Sequence, residues 1–152
     1  MTIRERLKEL GIELPEPAKP VASYLPFVRT GNLISVSGQV SLSAGREFKG
    51  RVPDQVSLED AILAARLCGI NILAQLNAAL DGDLDRVVRI VKLGGFVNCT
   101  PDFTDHPRVI NGASDLMAEV FGEAGKHSRA AVGASSLPLG VTVEVDALVE
   151  VA

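Results

Sequence analysis

The stretch HSRAAVGASSLPLGVTVEVDALVE, residues 127–150, carries two runs of small and β-branched residues. Arg129 to Ala134 and Val141 to Val149 flank the connection Leu137-Pro138-Leu139-Gly140, the pattern of two strands joined by a turn region. Side chains alternate across an extended backbone, so Val141, Val143, Val145, Ala147 and Val149 share one face while Thr142, Glu144 and Asp146 share the other. One face is for packing, and the other carries two carboxylates. Arg129 opens the first run, whose remaining residues are Ala, Val and Gly, so its guanidinium has little bulky cover. An arginine and a carboxylate on neighbouring strands are the start of a small-anion site.

Outward from that stretch, Val109 to Gly122 places Val109, Ala113, Leu116, Met117 and Val120 on one helical stripe, after a turn-rich segment from Thr100 to Pro107. Val87 to Asn98 is dense in apolar β-formers and predicts a strand buried on both faces in the middle of the sheet, with Gly94-Gly95 as a bulge. Ser57 caps a long helix with Leu58, Ile62, Ala65, Gly69, Ile72, Leu73, Leu76 and Leu80 at helical spacing, ending at Asp81-Gly82. Leu42 to Asp54 is polar and reads as a loop or an irregular strand. Tyr24 to Arg29, interrupted by Pro26, and Leu33 to Val40 make an N-terminal hairpin about Thr30-Gly31-Asn32. Within it, Ser37-Gly38-Gln39 puts a glycine inside a strand, which marks either a bulge or a close approach by another backbone or a ligand. Thr2 to Leu10 is a short amphipathic helix stopped by Gly11, and the proline-spaced arm Leu14 to Pro20 should lie extended on the surface.

Composition narrows the function classes. A chain of 152 residues that is 47% hydrophobic fills one domain and is too short for two. A net charge of −4 and a pI near 5.2 argue against binding a phosphate backbone, which requires an excess of Lys and Arg. Cys68 and Cys99 have neither CxxC nor Cys/His spacing and read as buried free thiols, which fits a reducing cytoplasm. No apolar run approaches the ~20 residues of a bilayer span, and the charged first residues are unlike a signal sequence, so a soluble, unexported protein is expected.

The order hairpin, helix, strand, helix, strand, strand predicts a two-layer α+β domain, a mixed β-sheet with two helices packed on one face. The other sheet face then needs a partner, which makes self-association the expectation.

Tyr24, the run Gly31 to Gln39, Phe96-Val97-Asn98 before Asp102-Phe103, Asn111, Arg129, Leu137-Pro138 and Val143 to Ala147 together resemble the RidA/YjgF family. These are the reactive intermediate deaminases, also labelled translation inhibitors or L-PSP endoribonucleases. The likeness covers residues 24–152, leaving 1–23 as an N-terminal helix and Pro-rich arm outside it. It implies a chorismate-mutase-like fold, a cytoplasmic homotrimer, and a ligand cleft at each subunit interface. The implied activity is hydrolysis of 2-imino acids or their enamines, of the 2-iminopropanoate and 2-iminobutanoate type, to 2-keto acids and ammonia. Arg129 matches the family's carboxylate clamp and Glu144 its water-positioning carboxylate, while Tyr24, Ser37, Gly38 and Asn111 match lining positions. No metal or organic cofactor is implied, the partner molecule being the 2-imino or 2-keto acid itself.

Singly, these residues have plainer readings. Arg129 alone is a surface or interface salt-bridge arginine with Glu144 or Asp146 as its obvious mate, Tyr24 a strand aromatic, Asn111 a helix-surface amide, and His106 and His127 loop and turn residues rather than catalysts. Their joint occurrence in order favours the functional reading. The chain departs from the family pattern at Ala131, where a cysteine is usual, and at Gly133-Ala134-Ser135-Ser136, where a Glu-Val-Ala-Arg-like sequence is usual; Phe103 to Asn111 is also longer. Two other functions remain open on the same scaffold: a non-catalytic trimer binding small carboxylates and, disfavoured by the acidic pI, an endoribonuclease.

Overall fold

The computed structural model describes residues 1–19 and 22–152. Pro20, in the expected extended arm, and Val21 lie outside the described residues. Helix α1 (Ile3–Glu9) is closed by a reciprocal cap: the Glu5 amide donates to Thr2 Oγ1 at 3.1 Å and the Thr2 amide to Glu5 Oε2 at 2.9 Å. Leu7 buries its side chain, and the Ile3 amide donates to Asp85 Oδ1 at 2.8 Å. Residues 12–19 then run without regular structure, and Gln75 Nε2 on the long helix donates to the Ala18 carbonyl at 2.9 Å.

Strands β1 (Phe27–Thr30) and β2 (Leu33–Val40) form the expected hairpin, its turn made by Gly31 at φ 58°. The first strand starts three residues later than Tyr24, beyond Pro26, which has no amide to donate to a ladder. A two-residue pair, β3 (Leu42–Ser43) with β4 (Arg46–Glu47), occupies part of the expected loop. Helix α2 (Leu58–Ala79) begins where Ser57 Oγ accepts the Asp60 amide at 3.1 Å, and the chain leaves it through Asp81 at φ 52° and Gly82 at φ 86°. Strand β5 (Val87–Asn98), α3 (His106–Phe121), β6 (Ser128–Ala134) and β7 (Val143–Val151) complete the chain.

The five-stranded sheet has the order β1-β2-β7-β5-β6, antiparallel except for β5 and β6, which are parallel and joined through α3. β5 therefore separates β6 from β7, and the two C-terminal runs are not neighbours. Consecutive strands at the end of a chain usually pair, but the parallel β5-α3-β6 unit fills the place beside β5 and sends the chain back to its other side. Val143, Val145, Ala147, Val149 and Val151 of β7 are buried beneath the helices. Each fully buried Val contributes roughly 1.5–3 kcal/mol of apolar burial. Helix α2 lies over β7 and β2, and α3 over β5 and β6. By length and composition α2 is apolar enough to cross a membrane, yet 61% of its most apolar window is buried in this fold. It is the core helix.

Two further expectations for β5 are corrected. Its irregularities fall between Val87 and Arg89 and between Ile90 and Lys92, not at Gly94-Gly95. Gly94 instead lies under the Asp146 carboxylate, where a β-carbon would collide with it, and Gly95 faces Ile110. Nor is β5 buried on both faces: Val88, Arg89 and Lys92 are exposed, because both helices cover one side of the sheet. On the uncovered side, cross-strand pairing aligns Val28, Ser35 and Leu148 in one row and Phe96 with Val132 in another. Val28 is 50% exposed and Val132 is 45% exposed, an apolar surface without a covering layer among the described residues.

Candidate active site

The predicted site residues fall into two groups. On the uncovered face, Glu144 pairs across β7 and β5 with Phe96. Between Val36 and Gln39 the β2 ladder shifts register, so Ser37 and Gly38 together stand opposite Asp146. The expected bulge is therefore present, and the close approach is present with it. Gly38 lies against the Glu144 carboxylate so closely that a β-carbon there would overlap Oε2.

The bulge is pinned from both sides. The buried Gln39 side chain donates from Nε2 to the Ser37 carbonyl at 3.0 Å, while the Ser37 hydroxyl donates to the Leu25 carbonyl at 2.6 Å. The Ser37 amide also donates to the Pro26 carbonyl at 2.9 Å. These bonds draw the segment preceding β1 over the bulge, with Tyr24 adjacent and 54% exposed. Burial, and after it the neighbouring Asp146 charge, raises the Glu144 pKa above the usual glutamate value.

The second group is on the helix side. Arg129 pairs with Leu93 and turns toward α3, where Nη1 donates to Ser114 Oγ at 3.0 Å and Nη2 to the Pro107 carbonyl at 3.3 Å. Pro107, Asn111 and Ser114 recur at i, i+4 and i+7 on one face of α3, so Asn111 sits between the two contacts of the guanidinium. Among the described residues no carboxylate lies within 4.0 Å of Arg129, so Glu144 and Asp146 of the same chain are not its mates.

Glu144, Ser37 and Gly38 thus gather on one side of the sheet, and Arg129 and Asn111 on the other; Tyr24 precedes Leu25, whose carbonyl accepts the Ser37 hydroxyl. A single protomer does not bring the groups together. Sequence reasoning missed Ser114; His127 lies in the loop before β6, as expected, and bonds to Ser114 at 2.9 Å. A signal for Ser114 was present, three residues from Asn111 on a helix.

Two concavities lie elsewhere. One, of about 870 Å³, separates α1 from the Asp81 to Asp85 turn. The other, of about 470 Å³, is lined by Cys99, His106, Phe103 and Gly133, with Cys99 Sγ 3.5 Å from His106 Nε2. Cys68 and Cys99 are free and buried, as expected, and burial raises the pKa of both thiols. Among the described residues no cluster of three or more His, Cys, Asp or Glu side chains is arranged to hold a metal ion.

A sequence model described as "YjgF/chorismate mutase-like, putative endoribonuclease" matches residues 4–151. This chain belongs to the YjgF/RidA family. The match begins within helix α1, at residue 4. A relative, Protein TCP17 of Trypanosoma cruzi, is 46% identical over 150 residues, covering 97% of this chain and 93% of TCP17. The crystal structure of Atu1372 from Agrobacterium tumefaciens has 50% identity and a TM-score of 0.92, covering 99% of this chain and 92% of that one. A structure named a "putative endoribonuclease" from Shewanella oneidensis MR-1 has 34% identity and a TM-score of 0.95, covering 99% and 100%. The chorismate-mutase-like YjgF/RidA fold, with helices on one face of a mixed sheet, is the fold seen here.

Proposed function

We propose that this protein hydrolyses 2-imino acids or their enamine tautomers to 2-keto acids and ammonia, in clefts between copies of the chain. The observation that carries the reading is Arg129: a guanidinium fixed at two of its N–H groups by neutral oxygens, with no carboxylate partner among the described residues. Such a group is prepared to receive an external carboxylate through parallel hydrogen bonds. A 2-imino acid presents a carboxylate next to an electrophilic C=N carbon.

Glu144 is the base in this reading. Its carboxylate takes a proton from water as the oxygen bonds to the imine carbon, and the C=N pair passes to nitrogen. The resulting tetrahedral carbon expels ammonia once the nitrogen has been protonated, leaving the 2-keto acid. Water supplies the new carbonyl oxygen and no redox step occurs. Positioning carries much of the acceleration.

Arg129 and Glu144 stand on opposite faces of one sheet with β5 between their strands, a lateral separation of about 10 Å from strand spacing alone. A small ligand cannot touch both within one chain. In this reading the cleft combines Arg129 and Asn111 of one copy with Tyr24, Ser37, Gly38 and Glu144 of the next, and the resemblance implies that the assembly is a homotrimer. The uncovered apolar sheet face supplies the surface for that assembly. Free thiols suit a reducing cytoplasm.

The endoribonuclease reading is disfavoured by charge: Glu144, Asp146 and Glu150 line the uncovered face of β7, which repels a phosphate backbone. The deciding experiment generates 2-iminopropanoate in situ and follows ammonia release, with Arg129→Ala as control. Arg129-dependent release supports the deaminase. Arg129-dependent binding of pyruvate without release would instead make the protein a carboxylate-binding trimer.

A further inference from the structure

We infer that Ser114 and His127 form a directional hydrogen-bond relay that positions the Arg129 guanidinium; this rests on the proposed role of Arg129 as carboxylate clamp. The direction follows from the acceptor at its far end. His127 Nδ1 lies 2.6 Å from the Gly125 carbonyl oxygen, which can only accept, so Nδ1 carries a proton. In the neutral ring Nε2 is then an acceptor, and it lies 2.9 Å from Ser114 Oγ. The serine hydroxyl must donate to it. That leaves the oxygen lone pairs of Ser114 toward Arg129, whose Nη1 donates at 3.0 Å.

With the ring neutral, every proton in the chain is thereby assigned: Arg129 Nη1–H to Ser114, Ser114 O–H to His127 Nε2, and His127 Nδ1–H to the Gly125 carbonyl. Donation by the hydroxyl polarises its oxygen and strengthens it as acceptor for the guanidinium. The relay joins three elements: α3 through Ser114, the turn after α3 through Gly125, and the start of β6 through His127 and Arg129. A guanidinium held only by the Pro107 carbonyl could turn about its own side chain. The second point, at Ser114, fixes its plane. Ser114 and His127 do not reach substrate in this scheme and are positioning residues.

Two measurements test the relay, one of which does not depend on the chemistry. In the intact protein, 15N NMR should find neutral His127 as the Nδ1–H tautomer, and rotation within the Arg129 guanidinium should be slow. Rotation should speed up in Ser114→Ala and His127→Ala and slow again in Ser114→Thr and His127→Gln, which retain a hydroxyl and an acceptor. In turnover of 2-iminopropanoate, Ser114→Ala should raise KM about tenfold while kcat changes less than about threefold, since a ground-state grip on the carboxylate has loosened. Ser114→Thr should restore KM.

An Nε2–H tautomer, unaltered guanidinium rotation in Ser114→Ala, or a KM unmoved by Ser114→Ala while Arg129→Ala raises it would each overturn the relay. If the wild-type protein neither turns over 2-iminopropanoate nor binds pyruvate, the deaminase reading fails. The tautomer and rotation measurements still decide the relay.

Discussion

Arg129 and Glu144 are separated by strand β5 and project from opposite faces of the same sheet. Neither side chain can be moved to the other by a rotamer change, because the sheet itself lies between them. The first expectation is therefore complementation between chains. Arg129→Ala and Glu144→Gln should each lose activity by about two orders of magnitude or more, from the loss of charged hydrogen bonds in one case and of the base in the other. Co-refolded in equal amounts, they should regain about a quarter of wild-type activity, because random mixing in a symmetric ring gives that share of clefts both intact residues. No recovery in a mixture shown to have assembled would place the whole site in one chain.

The acid limb of the pH profile should report Glu144. Burial and the Asp146 charge raise its pKa, so the carboxylate needed as base is present above that raised value and lost as pH falls through it. The limb should lie at higher pH than an ordinary glutamate gives. Asp146→Asn removes the second cause and should move the limb of kcat/KM to lower pH. A limb unmoved in Asp146→Asn would assign it to another group.

The same shift has a stability counterpart. A carboxyl that is harder to ionise in the fold than in the unfolded chain lowers stability as pH rises from the unfolded pKa to the folded one. Glu144→Gln should therefore melt higher than wild type at neutral pH, and the difference should vanish below the normal carboxylate range. Thermal melts from acid to neutral pH measure this directly.

Gly38 has no room for a β-carbon because the Glu144 carboxylate occupies the space. Gly38→Ala should displace that carboxylate, lowering kcat about tenfold or more, and should cost roughly 1–3 kcal/mol of stability from overpacking. Gly94→Ala, which crowds Asp146 instead, should cost a similar amount of stability with a smaller effect on turnover. Denaturant midpoints paired with kinetics separate the two. Equal losses of kcat in both would deny Gly38 its particular place beside the base.

The two thiols should differ in chemical access. Cys68 is fully buried, with Sγ 3.4 Å from the Val143 carbonyl, and its pKa is raised well above that of a free thiol. It should resist a water-soluble thiol reagent until the protein unfolds. Cys99 lines the concavity beside His106 and should react slowly in the native state, because burial raises its pKa too. Rapid native labelling of Cys68, followed by mass spectrometry, would contradict the packing of α2 on β7.

Local pattern was legible wherever one element determined it. The alternation from Val143 to Val149, the bounds of β2 and β5, the Ser57 cap and the bulge at Gly38 all follow from side-chain period, capping chemistry or a glycine in a strand. Those signals lie within a few residues of each other, and the backbone obeys them locally. It was the resemblance to the family, not local pattern, that singled out Arg129, Glu144 and Asn111 as candidate site residues.

Tertiary structure alone decided which strands are neighbours and which way each side chain faces. The runs 129–134 and 141–149 look like a pair, but the β5-α3-β6 crossover places β5 between them. Pairing energy depends on backbone groups common to every residue, so sequence adjacency does not encode it. Only the folded arrangement could turn Arg129 toward Ser114 and His127 while leaving Glu144 on the far side of the sheet, because alternation fixes two faces without saying which one the helices will cover.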